Sequence, residues 1–194
     1  MKNTRHLILI LLALSCFVHW GIAQNATQQN FRFDKFKIDK ERIGSIKLGM
    51  TVPEAEEFLF GFRKEESEAT LFGFGGGSPA YLYYWEDEIV LGLIPALDTD
   101  TLLYLVAAHP QIKTTNGLNP NSSVSELLKK YPHLTVMKDL MNQWEFFQDK
   151  NKGWDFIFMT EKETEIGEYQ DLYHPAVPKR LNMKSDWITI RKVD

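Results

Sequence analysis

The sequence predicts an α+β fold made of two tandem repeats, each with a short strand, a capped helix and an antiparallel meander. Two similar helix starts support this prediction, at Thr51 and at Ser123, which lie 72 positions apart. After each helix the chain contains several short apolar runs, and turn-forming segments separate many of them. Helices that are separate from hairpin-connected strands are typical of α+β domains, and we therefore expect both helices on one side of an antiparallel sheet.

The first helix start lies in the segment IKLGMTVPEAEEFL, residues 46–59. Thr51 is a favourable N-cap, and Glu54 three residues later completes a capping box, in which each side chain accepts a hydrogen bond from the backbone of the other residue. Pro53 fits the first turn, where a backbone N–H has no partner within the helix. The spacing predicts an apolar helix face made of Val52, Ala55, Phe58 and Leu59.

The second helix start lies in the segment GLNPNSSVSELLKKYP, residues 117–132. Ser123 and Glu126 form the same capping box, and a proline ends the helix. The expected apolar face consists of Val124, Leu127, Leu128 and Tyr131. Ile46 and Leu118 occupy equivalent positions in the strand expected before each helix. We interpret the two segments as a repeat; the alternative is two unrelated helices, because capping boxes are common.

Apolar runs after each helix predict the strands of the two meanders. These runs are AYLYYWEDE, EIVLGLIP and TLLYLVAAH after the first helix, and HLTVMKD, QWEFFQD, GWDFIFMT and DWITIRKV after the second. Turn-forming segments separate several of them, including FGFGGGSP, ALDTD and DKNKG. The glycine-rich segment is not followed by Gly-Lys-Ser/Thr or by a helix, so it predicts a flexible hairpin connection and not a phosphate loop.

Aromatic residues make up 13% of the sequence and alternate along several of these strands. Because successive side chains of a strand point to opposite faces, Tyr81, Tyr83 and Trp85 are expected to share one face. Two alternatives follow: the helices cover the aromatic rings as a core, or the rings form a partly exposed surface that binds a partner. For the second alternative, the candidate binding residues are Tyr81, Tyr83, Trp85, Trp144, Phe146, Trp154 and Phe156, with Tyr169 and Tyr173 on a long loop as a rim.

That long loop, residues 161–186, separates two strand-like runs by far more than the usual two to six residues or so. Its first half is acidic and contains Tyr169 and Tyr173, whereas its second half is basic. Insertions of this kind are often functional. The loop therefore predicts either a contact role or a surface decoration.

The first 23 residues have the layout of a secretory signal peptide, with two basic residues followed by an apolar run. Gly21 and Ala23 stand at the small-residue positions of a cleavage site, so we expect a secreted or periplasmic mature protein that begins at Gln24. No later apolar run reaches the roughly 20 residues of a transmembrane helix. In the alternative, Cys16, the only cysteine, is a lipid-attachment site that anchors the protein to the envelope, because ALSC is similar to a bacterial lipobox.

Removal of this segment removes two positive charges and no acids, and so takes the formal net charge from −4 to −6. An acidic chain without a stripe of lysine and arginine argues against nucleic acid as the partner. We divide the remaining chain into an N-terminal linker or edge strand at 24–40, a first repeat at 41–112 and a second repeat at 113–194.

The sequence contains no motif typical of a catalytic, metal or cofactor site. His109, His133 and His174 each lie directly beside a proline, which predicts turn positions, and none has a closely spaced partner of metal-site type. The nucleophile elbow Gly-x-Ser-x-Gly is absent from the sequence. A pair of carboxylates brought together by folding would make the protein a small periplasmic hydrolase, and this stays an alternative.

The segment IGSIKLGMTVPEAEEFL, residues 43–59, resembles the Gly-Met-Thr-x-x-x-[Val/Ala] segment of the β-lactamase inhibitory protein family. A similar segment occurs in the small lipoproteins of the outer-membrane β-barrel assembly machine. The resemblance implies an exported bacterial protein with helices on one face of an antiparallel sheet. In the inhibitory protein, two such units in tandem bind a partner with a concave, aromatic-rich sheet surface. In this chain the second copy has Asn121-Ser122-Ser123 in place of Gly-Met-Thr, and the paired cysteines of that family are absent.

Together these observations favour an exported, non-catalytic binding or inhibitor-type module. We expect it to engage a protein or a small-molecule ligand in the cell envelope through an aromatic sheet face and its loops. β-Lactamase inhibition itself does not follow from a resemblance that covers 17 residues well, 43 to 59. The alternatives are the small hydrolase and a lipid-anchored envelope assembly factor.

Overall fold

A computed structural model describes residues 32–171 and 173–193 of the chain, and these residues form a mostly β structure. A small antiparallel sheet comes first, after a 3-10 turn at Phe33–Phe36. Its strands are β1 (Ile38–Asp39), β2 (Arg42–Ile43) and β3 (Ile46–Lys47). The segment expected to be a linker or an edge strand thus ends in β1, which pairs with β2.

The large sheet has eight antiparallel strands, and both predicted meanders belong to it. Its strands are β4 (Arg63–Glu68), β5 (Pro79–Trp85), β6 (Glu88–Pro95), β7 (Leu102–Ala107), β8 (Met137–Lys138), β9 (Glu145–Asp149), β10 (Trp154–Phe158) and β11 (Trp187–Ile190). They lie in the order β4-β5-β6-β7-β11-β10-β9-β8. The two meanders are joined where β7 pairs with β11, with Leu105 opposite Ile190. The prediction of antiparallel meanders is confirmed, but they form one continuous sheet.

The two helices, α1 (Val52–Glu56) and α2 (Val124–Lys130), begin at the predicted residues. At α1, Glu54 Oε2 accepts a hydrogen bond from the Thr51 backbone N–H at 2.8 Å, and the Glu54 backbone N–H donates to Thr51 Oγ1 at 3.4 Å. At α2, Ser123 and Glu126 make the same two bonds at 2.8 and 3.3 Å. Both capping boxes are confirmed.

Two details of the predicted repeat are wrong. The helix α1 ends at Glu56, so Phe58 does not continue its apolar face and is 44% exposed. Leu118 is buried but lies in no strand, since its carbonyl oxygen accepts hydrogen bonds from the backbone and side chain of Thr114 and so closes a local turn. The strand that precedes α1 therefore has no counterpart before α2.

One face of the large sheet, here called the inner face, contacts both helices and the small sheet. The Tyr83 hydroxyl on β5 donates to Glu56 Oε1 of α1 at 2.7 Å. Tyr131, at the end of α2, contacts the ring of Phe147 on β9 with ring centroids 4.7 Å apart. The indole Nε1 of Trp154 on β10 donates to the carbonyl oxygen of Asp39 in β1 at 3.2 Å. Strand pairing places these three sheet residues on the same face.

The predicted signal peptide, its cleavage site and Cys16 lie outside the described residues. Among residues 32–171 and 173–193, no helix has the length and apolar content needed to cross a bilayer.

Replacement of the second N-cap is expected to have a modest effect on stability. Ser123→Ala removes the acceptor of the Glu126 backbone N–H and should lower the free energy of unfolding by about 1 kcal/mol. Urea denaturation of the mature protein measures this change. Asn121→Ala, two residues before the cap and exposed, is the control, and a loss as large as that of Ser123→Ala would contradict the capping role.

Candidate functional site

Three of the predicted binding residues are core residues of the inner face. Tyr83 is 2% exposed, and Trp154 and Phe156 are fully buried. The expectation that these rings lie on an exposed surface is wrong, because the helices and the small sheet cover the face that they share. Alternation along a strand assigns residues to two faces, but it does not say which face the rest of the chain covers.

The opposite face of the sheet, here called the outer face, carries apolar side chains that are only half-buried. β5 contributes Tyr84, β7 contributes Tyr104, and β9 and β10 contribute the opposed pair Phe146 and Ile157. Trp144 lies just before β9 and is also half-buried. The half-buried apolar residues of the outer face are Tyr84, Ile89, Tyr104, Ala108, Trp144, Phe146 and Ile157. Both halves of the sheet thus contribute to it, and it includes two of the predicted binding residues, Trp144 and Phe146.

The centre of the outer face is covered by the segment between β4 and β5, residues 69–78, here called the flap. The flap begins with a 3-10 turn at Ala69–Phe72 and continues through the glycine-rich segment. Phe74 stacks on Tyr104 with ring centroids 4.3 Å apart. Two flap residues, Ala69 and Phe72, form a buried cluster with residues of the sheet, which are Ala80, Leu82, Ile94, Val106 and Trp187. The half-buried residues of the outer face surround this covered centre.

The other predicted binding residues do not join the outer face. Tyr81 is a half-buried residue of the inner face, close to the sheet edge, and the Lys64 ammonium lies 4.1 Å from its ring centroid. Trp85 is half-buried and contacts Phe62 edge to face, with centroids 6.4 Å apart. Tyr173, on the long loop, is 80% exposed. These aromatic residues are therefore spread over several surfaces.

Tyr169 on the long loop has a different environment, since it contacts the buried carboxylate of Glu145. The Tyr169 hydroxyl donates to Glu145 Oε1 at 2.7 Å, and the Gly167 backbone N–H donates to the same oxygen at 2.8 Å. The Ile166 backbone N–H donates to Glu145 Oε2 at 2.6 Å. Burial, followed by the hydrogen bond to Glu145, raises the pKa of the Tyr169 hydroxyl, which therefore remains a donor at neutral pH.

Glu145 holds the long loop against the edge of the sheet. It lies on the inner face of β9, at a position where the alternation predicts an apolar residue, and it is fully buried. Next to it, the buried ammonium of Lys138 pairs with Glu165 of the loop. Three donors occupy the two Glu145 oxygens, so this carboxylate serves as an anchor in this conformation. This role was not predicted from the sequence, although an acidic residue inside the apolar run QWEFF was the available signal.

The predicted turn histidines have separate surroundings. His109 is mostly buried: its ring stacks on Phe33 with centroids 4.3 Å apart, and its Nε2 lies 3.1 Å from Glu88 Oε2. Burial lowers the pKa of His109. The exposed His174 ring contacts Asp171. In the part of the chain that the structure describes, no three His, Cys, Asp or Glu side chains form a group that could hold a metal ion.

Comparisons with known proteins bear on the fold. No family model matches this chain, and no curated protein matches it. Among solved structures, it is similar to the crystal structure of the uncharacterized protein yfeY from Escherichia coli, with a TM-score of 0.52 and 14% sequence identity. The match covers 81% of this chain and 97% of that chain. The chain therefore has a sheet-rich fold that is also found in a solved bacterial protein.

Proposed function

We propose that this protein is an exported, non-catalytic binding or inhibitor-type module that engages a protein or small ligand of the cell envelope. The observation that carries the proposal is the outer face, where half-buried aromatic residues from both halves of the sheet surround the flap. Tyrosine, tryptophan and phenylalanine bury large apolar areas at a low entropic cost, and they often dominate the energy of interfaces. A surface of this composition is typical of a binding site.

We place the binding surface on the outer face because other parts of the chain cover the inner face. α1, α2 and the small sheet pack on the inner face, where Tyr83, Phe147 and Trp154 contact them. The inner face is therefore occupied by the chain itself. On the outer face, among the residues that the structure describes, the flap covers the centre and the surrounding rings are half-buried. Tyr104 lies on β7, in the first half of the sheet, and Phe146 lies on β9, in the second half.

Truncation of these two residues tests the proposal. Tyr104→Ala and Phe146→Ala are each expected to weaken partner binding by about 2 kcal/mol, because each removes an aromatic contact from the interface. The partner is captured from envelope extract with the tagged wild-type protein, and its affinity for each variant is then measured by calorimetry. Thermal melts check that each variant is folded.

Tyr81→Ala is the matched control, because Tyr81 is a half-buried aromatic residue on the inner face. Its replacement should leave partner affinity unchanged within about 0.5 kcal/mol. A partner that tolerates Tyr104→Ala and Phe146→Ala but is lost with Tyr81→Ala would place the binding surface on the other side of the sheet.

Export is the second part of the proposal, and it rests on the basic, apolar and small-residue layout of the first 23 residues. We expect the mature protein to begin at Gln24. Intact-mass measurement of the protein purified from the envelope fraction gives its first residue. A protein that begins at a lipid-modified Cys16 would refute the unanchored form and favour the alternative, a lipid-anchored envelope factor.

We further propose that the two halves of the chain are related, as the resemblance described above implies. Two observations support this. Both helices begin with the same capping box, and each is followed by four strands of the large sheet. The strand order runs inwards from β4 to β7 on one side and from β8 to β11 on the other. The outer face, to which both halves of the sheet contribute aromatic residues, is consistent with two related halves.

A further inference from the structure

The flap has the features of a hinged segment. Its ends meet where the Ala69 backbone N–H donates to the Ser78 carbonyl oxygen at 3.0 Å. Between them, Gly73, Gly76 and Gly77 have φ values of 80°, 93° and 76°, a region that residues with side chains rarely adopt. A hydrogen bond from Asn142 Nδ2 to the Gly73 carbonyl oxygen, at 3.1 Å, ties the flap to the loop between β8 and β9.

Phe72 is the residue by which the flap closes on the sheet. A Cβ atom added at Gly92 on β6 would lie 2.9 Å from Phe72 Cε2, so the ring rests directly on the backbone of that strand. The same ring contacts Trp187 edge to face, with centroids 5.4 Å apart. Gly92 therefore forms the floor of the position that the Phe72 ring fills between flap and sheet, here called the Phe72 space.

The indole that contacts Phe72 has a buried donor without a partner. Trp187 on β11 is 5% exposed, and its indole Nε1 has no hydrogen-bond acceptor among the described residues. A buried N–H normally has an acceptor, because leaving it unpaired costs free energy. The ring of Trp144 lies at the side of Trp187, with centroids 5.3 Å apart, and is half-exposed. The Phe72 ring thus contacts the backbone of Gly92 and an indole whose donor is unused, and a second aromatic residue lies beside that indole.

We propose that the Phe72 space is a ligand site, in which a small apolar molecule with one hydrogen-bond acceptor displaces Phe72. The apolar body packs over Gly92, and its oxygen accepts a hydrogen bond from Trp187 Nε1. Opening of the flap breaks the hydrogen bond from Asn142 to Gly73 and lets the ligand enter beside Trp144. The inference rests on the proposed binding function of the outer face and deepens it, because it names a class of ligand.

Two probes of nearly equal shape test the site. Acetophenone and α-methylstyrene differ in that the first has a carbonyl oxygen where the second has a CH₂ group. Each is titrated into the isotope-labelled mature protein, and the indole N–H resonance of Trp187 is followed by NMR. We expect acetophenone to shift this resonance in a saturable manner and to bind about tenfold more tightly than α-methylstyrene, because only acetophenone accepts the hydrogen bond.

Two variants separate the roles of the donor and the flap. Trp187→Phe keeps a ring but removes the N–H, so it should bind both probes with equal affinity, as measured by the shifts of neighbouring backbone resonances. Phe72→Ala vacates the space and should bind acetophenone about tenfold more tightly than the wild type, since no ring has to be displaced. Tyr81→Phe is the control, because Tyr81 lies on the inner face and not beside the flap, and it should change the affinity less than about twofold.

Equal affinity of the wild type for the two probes, or no change of the Trp187 resonance with acetophenone, would overturn the site. Both results come from the wild-type protein and do not depend on the folding of any variant. They would leave the proposed function standing, because that function is tested by partner affinity for Tyr104→Ala and Phe146→Ala. Conversely, a partner that tolerates both alanine variants would refute the proposed function even where acetophenone binds.

Discussion

Trp154→Ala is expected to lower the free energy of unfolding by about 3 to 5 kcal/mol, the range typical of replacing a large core aromatic residue by alanine. The indole is fully buried at the junction of β10 and the small sheet. Its removal leaves a cavity on the inner face and takes away the donor to the Asp39 carbonyl oxygen. Urea denaturation monitored by circular dichroism measures the loss.

Trp144→Ala is the matched comparison, since it removes the same side chain from the outer face. Trp144 is only half-buried, so we expect a smaller loss of stability than for Trp154→Ala. Trp154→Phe fills most of the cavity but removes the indole donor, and it should have an intermediate effect. Equal losses for the two alanine variants would contradict the assignment of Trp154 to the core and Trp144 to the outer face.

Glu145→Ala is expected to destabilise the protein by at least about 3 kcal/mol, because hydrogen bonds to a buried charge are strong and their loss leaves buried donors unpaired. The carboxylate accepts from the backbone N–H groups of Ile166 and Gly167 and from the Tyr169 hydroxyl. These bonds fix the start of the long loop. Urea denaturation gives the stability, and limited proteolysis shows whether residues 161–186 become accessible.

Tyr169→Phe measures how much of the stability provided by Glu145 comes from the tyrosine hydrogen bond alone. It removes one hydrogen bond to Glu145 but leaves both backbone donors paired, so it should cost about 1 kcal/mol and leave the loop resistant to protease. Glu145→Gln keeps the size of the side chain, but its NH₂ group replaces one acceptor with a donor. It should therefore resemble Glu145→Ala more than Tyr169→Phe. A fully stable Glu145→Gln variant with a protected loop would show that the carboxylate is not the anchor.

The outer face could be predicted from the sequence in part, whereas the role of Glu145 could not. Trp144 and Phe146 were predicted from the sequence as candidates for the aromatic surface, and both lie on the outer face. Tyr84 and Tyr104 were not among these candidates: the alternation in YLYYW was followed from Tyr81 and not from Tyr84, and Tyr104 lies in a different run, TLLYLVAAH. Glu145 was missed because its three donors come from a loop about twenty residues further along the chain.

The features that the sequence by itself determined are those set by neighbours along the chain. Thr51 and Glu54, like Ser123 and Glu126, are three residues apart, and this spacing is sufficient for a capping box wherever the helix packs. The period of two in the runs around Tyr81 and Trp154 likewise identified strands, because it follows from the pleat of a single strand. These predictions required no knowledge of the rest of the fold.

Only the tertiary structure decided which side of the sheet is core. Strands that alternate between aromatic and aliphatic residues offer two apolar faces, and either one could receive the helices. The choice is made by contacts between residues far apart in the sequence, such as Trp154 with Asp39, which are separated by 115 positions. Because such contacts bury one face and leave the other half-exposed, the location of the binding surface depends on long-range packing that local periodicity does not encode.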